Sequence, residues 1–313
     1  MPAISIITVV RNAATTIGDC LTAVKSQTVR PEHIVVDGCS TDGTLELLES
    51  RQTDIGRLVS EPDQGMYDAL NKGFRQASGE VVGVLHADDV YADDRVLAKV
   101  VEALEKTGAD SCYGDLEYIT AEPPEGSSQW SVVSRQKSVI RTDRTAEPQR
   151  SETRTQNSDL TTDHGPLTSE ALTLDGWRVV RRWRAGGFRP EAFYWGWMPP
   201  HPTFFVRRSI YEKYGMFRLD LGTAADYELM LRFLLKHRIS TTYIPDVLVR
   251  MRLGGKSTVS LGARLRANEK DRKAWYVNDL RPYPWTIPLK PLRKLPQFLR
   301  DGLLWRMLLN RGG

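Results

Sequence analysis

The sequence predicts an α/β fold, a mostly parallel central sheet with helices on both faces. Three observations carry this. Short β-branched runs alternate with amphipathic stretches along the first third of the chain, the order that crossover connections between parallel strands produce. The runs Ile4–Val10, His33–Asp37 and Val81–Leu85 are almost wholly apolar, as strands covered on both faces are. Acids stand where these runs end, at Asp37 and at the pair Asp88-Asp89, and sheets of this kind bind ligands at the carboxyl ends of their strands.

The elements follow in order. Ile4–Val10 is a buried strand, and Thr15–Gln27 is a helix with Ile17, Leu21 and Val24 on one face. The strand His33–Asp37 precedes a helix over Thr41–Arg51 that carries Leu45, Leu47 and Leu48. Leu58–Ser60 is a brief strand, and the helix Gly65–Ala77 stops at Ser78-Gly79. The strand Val81–Leu85 then delivers the two acids, and Arg95–Lys106 is helical. Residues 122–174 are rich in Ser, Thr, Arg, Glu, Gln and Pro without apolar periodicity, so they read as a disordered insertion. Order resumes at Trp177. Pro202–Arg207 reads as a strand, Ser209–Tyr214 as a helical turn and Asp226–Lys236 as an amphipathic helix. Thr241–Ile244 and Val247–Met251 read as two strands around Pro245-Asp246.

Composition sets bounds. The 313 residues are 41% hydrophobic and carry a net charge of +4. That is ordinary for a soluble globular protein and gives no argument for nucleic acid. The charge is uneven, with acids early and cations after Arg250, which points to an anionic ligand or surface near the C-terminal part. Cys20, Cys39 and Cys112 match no metal or redox spacing, so a reducing, cytoplasmic compartment is expected. Met1–Ser5 leads straight into a strand and no apolar run is long enough to span a bilayer; neither a signal peptide nor a membrane span is expected.

Acids are rarely buried unpaired, so Asp88-Asp89 call for a cation, and a divalent one with hard oxygen ligands suits them. A phosphate ligand can share that cation. Asp37 leaves its strand at the ligand edge, where a carboxylate can accept bonds from a nucleobase or ribose. Asp42 and Asp63 are simpler as helix caps, while Asp68 is a candidate ligand contact. Arg250 and Lys256 flank Gly254-Gly255; they either neutralise a diphosphate or form a solvated basic loop. His86 and His201 read more simply as structural histidines. The aromatic stretch Tyr194–Trp197 either packs the core or stacks on a sugar ring. The last stretch mixes Trp305 and several Leu with Arg293, Lys294, Arg300, Arg306 and Arg311, which suits an anionic membrane surface as well as a docked helix.

Four stretches, in order, resemble the inverting nucleotide-sugar glycosyltransferases of the A-type fold (GT-A) in the large second sequence family. They are IITVVRN with Val10 and Asn12; VVDGCSTDGT; EPDQGMYDALNKG leading to GEVVGVLHADD; and HPTFFVRRSIYEKYGMF followed by AADYELMLR. The resemblance covers residues 3–118 and 176–258. It implies a Rossmann-like nucleotide-sugar half over 1–121, the insertion over 122–174, an acceptor half over 175–260 and a basic amphipathic extension over 261–313. It also implies roles. Val10, Asn12 and Asp37 face the donor, with Asp37 on uracil or guanine. Asp88 touches ribose or sugar, and Asp89 binds Mg²⁺ or Mn²⁺. Asp226 is the general base, with Glu228 as the neighbouring alternative. The donor would be a UDP- or GDP-sugar and the acceptor a sugar, glycolipid or polysaccharide, with peripheral membrane contact through the extension. Synthesis of a bacterial surface polysaccharide is the implied setting. The rival readings are a nucleotidyltransferase, which needs no acid at position 226, and a sugar-nucleotide-binding protein without turnover. A dinucleotide oxidoreductase is not expected, because Arg11-Asn12-Ala13-Ala14 stands where a glycine-rich turn would follow the first strand.

Overall fold

The computed structural model describes residues 3–121, 176–253 and 261–293. The insertion, Lys256 and the end of the basic extension lie outside the described residues. The elements begin β1 (Ile4–Val10), α1 (Ile17–Lys25), β2 (Glu32–Asp37), α2 (Thr44–Ser50), β3 (Arg57–Ser60), α3 (Met66–Gln76) and β4 (Val81–Val84). Then come β5 (Asp89–Tyr91), α4 (Val96–Thr107), β6 (Ser111–Ala121), β7 (Trp177–Trp183), β8 (Phe205–Arg207) and α5 (Arg208–Tyr214). The last are α6 (Ala225–Met230), β9 (Thr241–Arg252), α7 (Leu261–Tyr276) and α8 (Thr286–Leu292).

One sheet runs in the order β3-β2-β1-β4-β8-β6-β9-β5, with β7 paired to β6. Every residue of β1 is buried. Its side chains alternate between the two faces. Ile7 and Val9 pack with Leu70 and Phe74 of α3. Ile6 and Val10 pack with Leu21 of α1 and Val100 of α4. Gly73 allows α3 to approach closely, since a Cβ there would stand 2.4 Å from an Ile7 methyl.

The parallel character belongs to β3-β2-β1-β4 and to the β6–β9 pair. The other pairs, β4–β8, β6–β8, β6–β7 and β5–β9, are antiparallel. Strand β6 is absent from the sequence reading, because Gly114, Asp115 and Glu117 interrupt its apolar pattern. Residues 241–252 form one strand rather than two. Pairing of β9 with β6 shifts register between Tyr113 and Asp115, so Pro245-Asp246 is absorbed by an irregularity instead of ending the strand. The strand expected from Pro202 starts at Phe205, because His201–Thr203 closes a 3₁₀ turn. Helix α6 continues as a π-helical turn over Leu231–Lys236.

Residues 261–293 are part of the packed body. Trp275 of α7 is fully buried, and its indole N–H donates to the Tyr227 hydroxyl at 2.9 Å. No helix of the described residues is long and apolar enough to cross a membrane.

Candidate active site

The chain winds from β1 outward to β3 and then returns to place β4 on the other side of β1. That reversal opens a crevice at the strand ends, the usual ligand position in such sheets. A cleft of about 1860 Å³ lies there. It is larger than the roughly 300–1,000 Å³ of a single small-ligand pocket. Val10, Arg11 and Asn12 enter it after β1, and His86 and Asp88 after β4. Asp226, His201, Arg252 and Lys290 enter it from the second half of the chain.

Asp88 lines the cleft, while Asp89 is only 1% exposed and opens β5. Among the described residues no hydrogen bond of normal geometry reaches either carboxylate oxygen of Asp89, and the Arg252 backbone N–H is the donor that faces it. Burial, reinforced by the neighbouring Asp88, pushes its carboxyl well above the usual range, and Arg252 pulls the other way. A buried carboxylate without such bonds needs a proton or a cation. Two adjacent carboxylates are hard oxygen donors of the type Mg²⁺ and Mn²⁺ take together with substrate phosphates. Among the described residues no group of three or more His, Cys, Asp or Glu side chains gathers there or elsewhere. The acids therefore fit a cation that a phosphate ligand also holds, and do not form a closed protein cage.

Asp226 sits in the first turn of α6, two residues after the cap position at Ala224. Its Oδ1 accepts the Tyr227 N–H at 2.7 Å, so the helix terminus favours the anion. Burial nevertheless raises its pKa; Lys290 and the Tyr227 N–H oppose that rise. The Tyr67 hydroxyl of α3 faces the same carboxylate. His86 and His201 stand with ring centroids 6.2 Å apart, and burial lowers each to about 4. Both are neutral imidazoles near pH 7. Glu228 is removed from the cleft: it is 1% exposed and ion-paired to Arg232 at 2.9 Å.

Several expected residues lie elsewhere. Asp37 is fully buried, outside the cleft lining, and accepts bonds from the Ser40 N–H and the Ser60 hydroxyl. It fastens the turns after β2 and β3. Asp68 accepts the Gln64 N–H at 3.0 Å in the first turn of α3 and also lies outside the lining. Arg250 is held by Glu117 at 3.2 Å and by the Ala92 carbonyl at 2.8 Å. Arg252, two residues on, lines the cleft instead. Asn12 enters the cleft at positive φ, and its side chain accepts the Thr41 N–H at 2.8 Å. Tyr67, Arg182, Arg184, Arg252, Asp271 and Lys290 all line the cleft and were not anticipated as site residues. Tyr67 and Arg252 carried a sequence signal, Tyr67 in the turn-and-helix motif beside Asp68 and Arg252 in the basic stretch before Gly254-Gly255.

The family model described as "Glycosyl transferase family 2" matches residues 5–169. An uncharacterized glycosyltransferase of Mycobacterium tuberculosis is 37% identical over 109 residues, 34% of this chain and 42% of that protein. A PGL/p-HBAD biosynthesis glycosyltransferase of Mycobacterium bovis is 37% identical over 120 residues, 37% of this chain and 47% of that protein. The matched stretch thus spans less than half of each relative. Among solved structures, Staphylococcus aureus TarS (residues 1–349) with UDP-GlcNAc superposes with a TM-score of 0.57 at 14% identity, covering 88% of this chain and 66% of that one. The mannosyltransferase PcManGT of Pyrobaculum calidifontis, with GDP-Man and Mn²⁺, gives 0.53 at 17% identity, covering 94% and 69%. These structures share the fold, which is the expected GT-A arrangement. With over half of its length matched, the chain belongs to glycosyl transferase family 2.

Proposed function

We propose that the protein is a metal-dependent inverting glycosyltransferase. It moves a sugar from a nucleoside-diphosphate-sugar to an acceptor hydroxyl. The observation that carries this reading is the convergence of Asp88 and Asp226 on one cleft, beside the buried Asp89. In the proposed reaction Asp226 takes the proton of the acceptor hydroxyl. The freed oxygen forms a bond to the anomeric carbon as the bond to the diphosphate breaks, so the configuration inverts. The Tyr227 N–H holds the carboxylate in place and the Tyr67 hydroxyl faces it. Asp89, with Asp88, would hold Mg²⁺ or Mn²⁺, which when bound neutralises the departing diphosphate. Arg252 adds positive charge at the same end of the cleft.

A UDP- or GDP-sugar donor is supported by the ligands of the two fold neighbours. A sugar, glycolipid or polysaccharide acceptor is the reading that membership of the family suggests. Peripheral contact with an anionic bilayer fits Trp195, Tyr283 and Trp285, which are 51%, 48% and 43% exposed, in a chain whose last stretch is rich in Arg and Lys. Co-sedimentation with phosphatidylglycerol vesicles checks that contact.

The deciding experiment incubates the protein with Mn²⁺ and a panel of UDP- and GDP-sugars and follows release of nucleoside diphosphate. Release from one donor, abolished by EDTA, by Asp89→Asn and by Asp226→Asn, supports the reading. Full diphosphate release in Asp226→Asn removes Asp226 as the base. Absence of donor binding by calorimetry overturns the assignment.

A further inference from the structure

The cleft contains a cation that none of the sequence motifs includes. Lys290 of α8 lines it together with Asp226. The Lys290 Nζ lies 3.4 Å from the centroid of the Tyr227 ring and 2.6 Å from an Asp271 carboxylate oxygen of α7. Its side chain is 16% exposed. Helix α8 is itself fixed. The Thr286 hydroxyl donates to the Tyr194 carbonyl at 2.7 Å, and Ile287 is buried. Gly196, at positive φ, lies so close that a Cβ there would stand 2.7 Å from the Lys290 backbone nitrogen. A lysine held by a ring, a carboxylate and a docked helix is not a solvated surface charge.

We propose that Lys290 is a positioning residue for the transfer: its ammonium, seated on the Tyr227 ring and anchored by Asp271, supplies the fixed positive charge against which the Asp226 carboxylate works. This rests on Asp226 being the base. The groups facing Asp226 are Tyr67 from α3, His86 after β4 and Lys290 from α8. Asp271 from α7 faces Lys290, Asp88 faces His86, and the exposed Arg293 lines the cleft at the end of α8. Of these, Lys290 is the fixed cation, held on the Tyr227 ring and by Asp271 in the cleft that Asp226 lines. In a partly desolvated cleft such a charge acts more strongly than in water. Without it, burial moves Asp226 further toward its acid form, which cannot accept a proton. Asp271 offsets part of the lysine's charge, so its removal acts in the opposite direction.

The test follows the Asp226 carboxyl directly, by ¹³C NMR of the full chain carrying ¹³Cγ-labelled aspartate. The resonance is assigned by its loss in Asp226→Asn. Lys290→Met is expected to move the titration midpoint up by about one unit or more, Lys290→Arg to keep it within about half a unit, and Asp271→Asn to move it down. An unmoved midpoint in Lys290→Met, or an equal upward shift in Lys290→Arg, overturns the proposal. If Lys290→Met does not fold, Asp271→Asn decides, and an upward or absent shift there overturns it. The acid limb of kcat against pH, measured with UDP-GlcNAc and with GDP-mannose, separates this inference from the one beneath it. A limb that moves with the NMR midpoint supports both. A midpoint that moves while the limb stays supports the charge relation and removes Asp226 as the base.

Discussion

Asp226 and Glu228 stand two residues apart at the start of one helix, and their carboxylates enter opposite environments. Asp226 lines the cleft. Glu228 is 1% exposed, with Oε1 and Oε2 each 2.9 Å from Arg232 nitrogens and Oε1 3.2 Å from the Asn278 amide. Asp226→Asn is expected to lower turnover by about 100-fold or more with the melting temperature little changed. Glu228→Gln is expected to lower stability while leaving the pH profile of turnover in place. Thermal melts beside diphosphate-release assays on both variants check this.

The Arg232 guanidinium also donates to the carbonyls of Tyr214, Gly215 and Met216. Arg232→Met strands Glu228 as an uncompensated buried charge and leaves those carbonyls without their donor. The expected loss is about 3–5 kcal/mol, read from urea unfolding midpoints. A loss below about 1 kcal/mol is the value of an exposed pair and would contradict the burial described.

Asp89 makes the opposite prediction. Its oxygens receive no hydrogen bond of normal geometry among the described residues, so Asp89→Asn removes a costly buried carboxylate. Without divalent cation the variant should melt at the same temperature as the parent or higher. With Mn²⁺ and UDP the parent should gain stability by mass action and the variant should not. A variant that gains as much as the parent removes Asp89 from the metal site.

Three histidines link stability to acid. Burial holds His33, His86 and His201 at about 4 in the folded state, below the value of about 6.5 expected for the unfolded chain. The unfolded state therefore takes up protons first. Their contribution is complete above pH 6.5 and is lost as pH falls toward 4, by up to about 1.4 kcal/mol per unit for each group. His33 is the cleanest probe, since it lies away from the cleft and its Nε2 meets the Thr8 hydroxyl at 2.9 Å. The stability difference between parent and His33→Gln should narrow between pH 7 and pH 4.5. A constant difference would show that His33 does not titrate with unfolding.

The legible part of the site was local in sequence. Asp88-Asp89 end an apolar strand, and Asp226 opens a helix within a motif that carries the family resemblance, so their places in the fold follow from neighbours in the chain. The residues outside the lining are held by partners far along the chain. Asp37 sits at the expected strand end, but Ser60 of the adjacent strand takes up its carboxylate. Arg250 is claimed by Glu117 of β6, a strand whose polar residues hid it from periodicity.

What the sequence determined by itself was the alternation of strands and helices, the family and the acids at the strand ends, because hydrophobic period and turn chemistry are written within a few residues. Only the tertiary structure decided which charges meet. The pairing of β9 with β5 and β6 sets Arg252 near Asp89 and gives Arg250 to Glu117. The docking of α8 against Gly196 brings Lys290 to Asp226. Electrostatic partnership depends on distance in space, and long-range packing, not chain spacing, sets that distance.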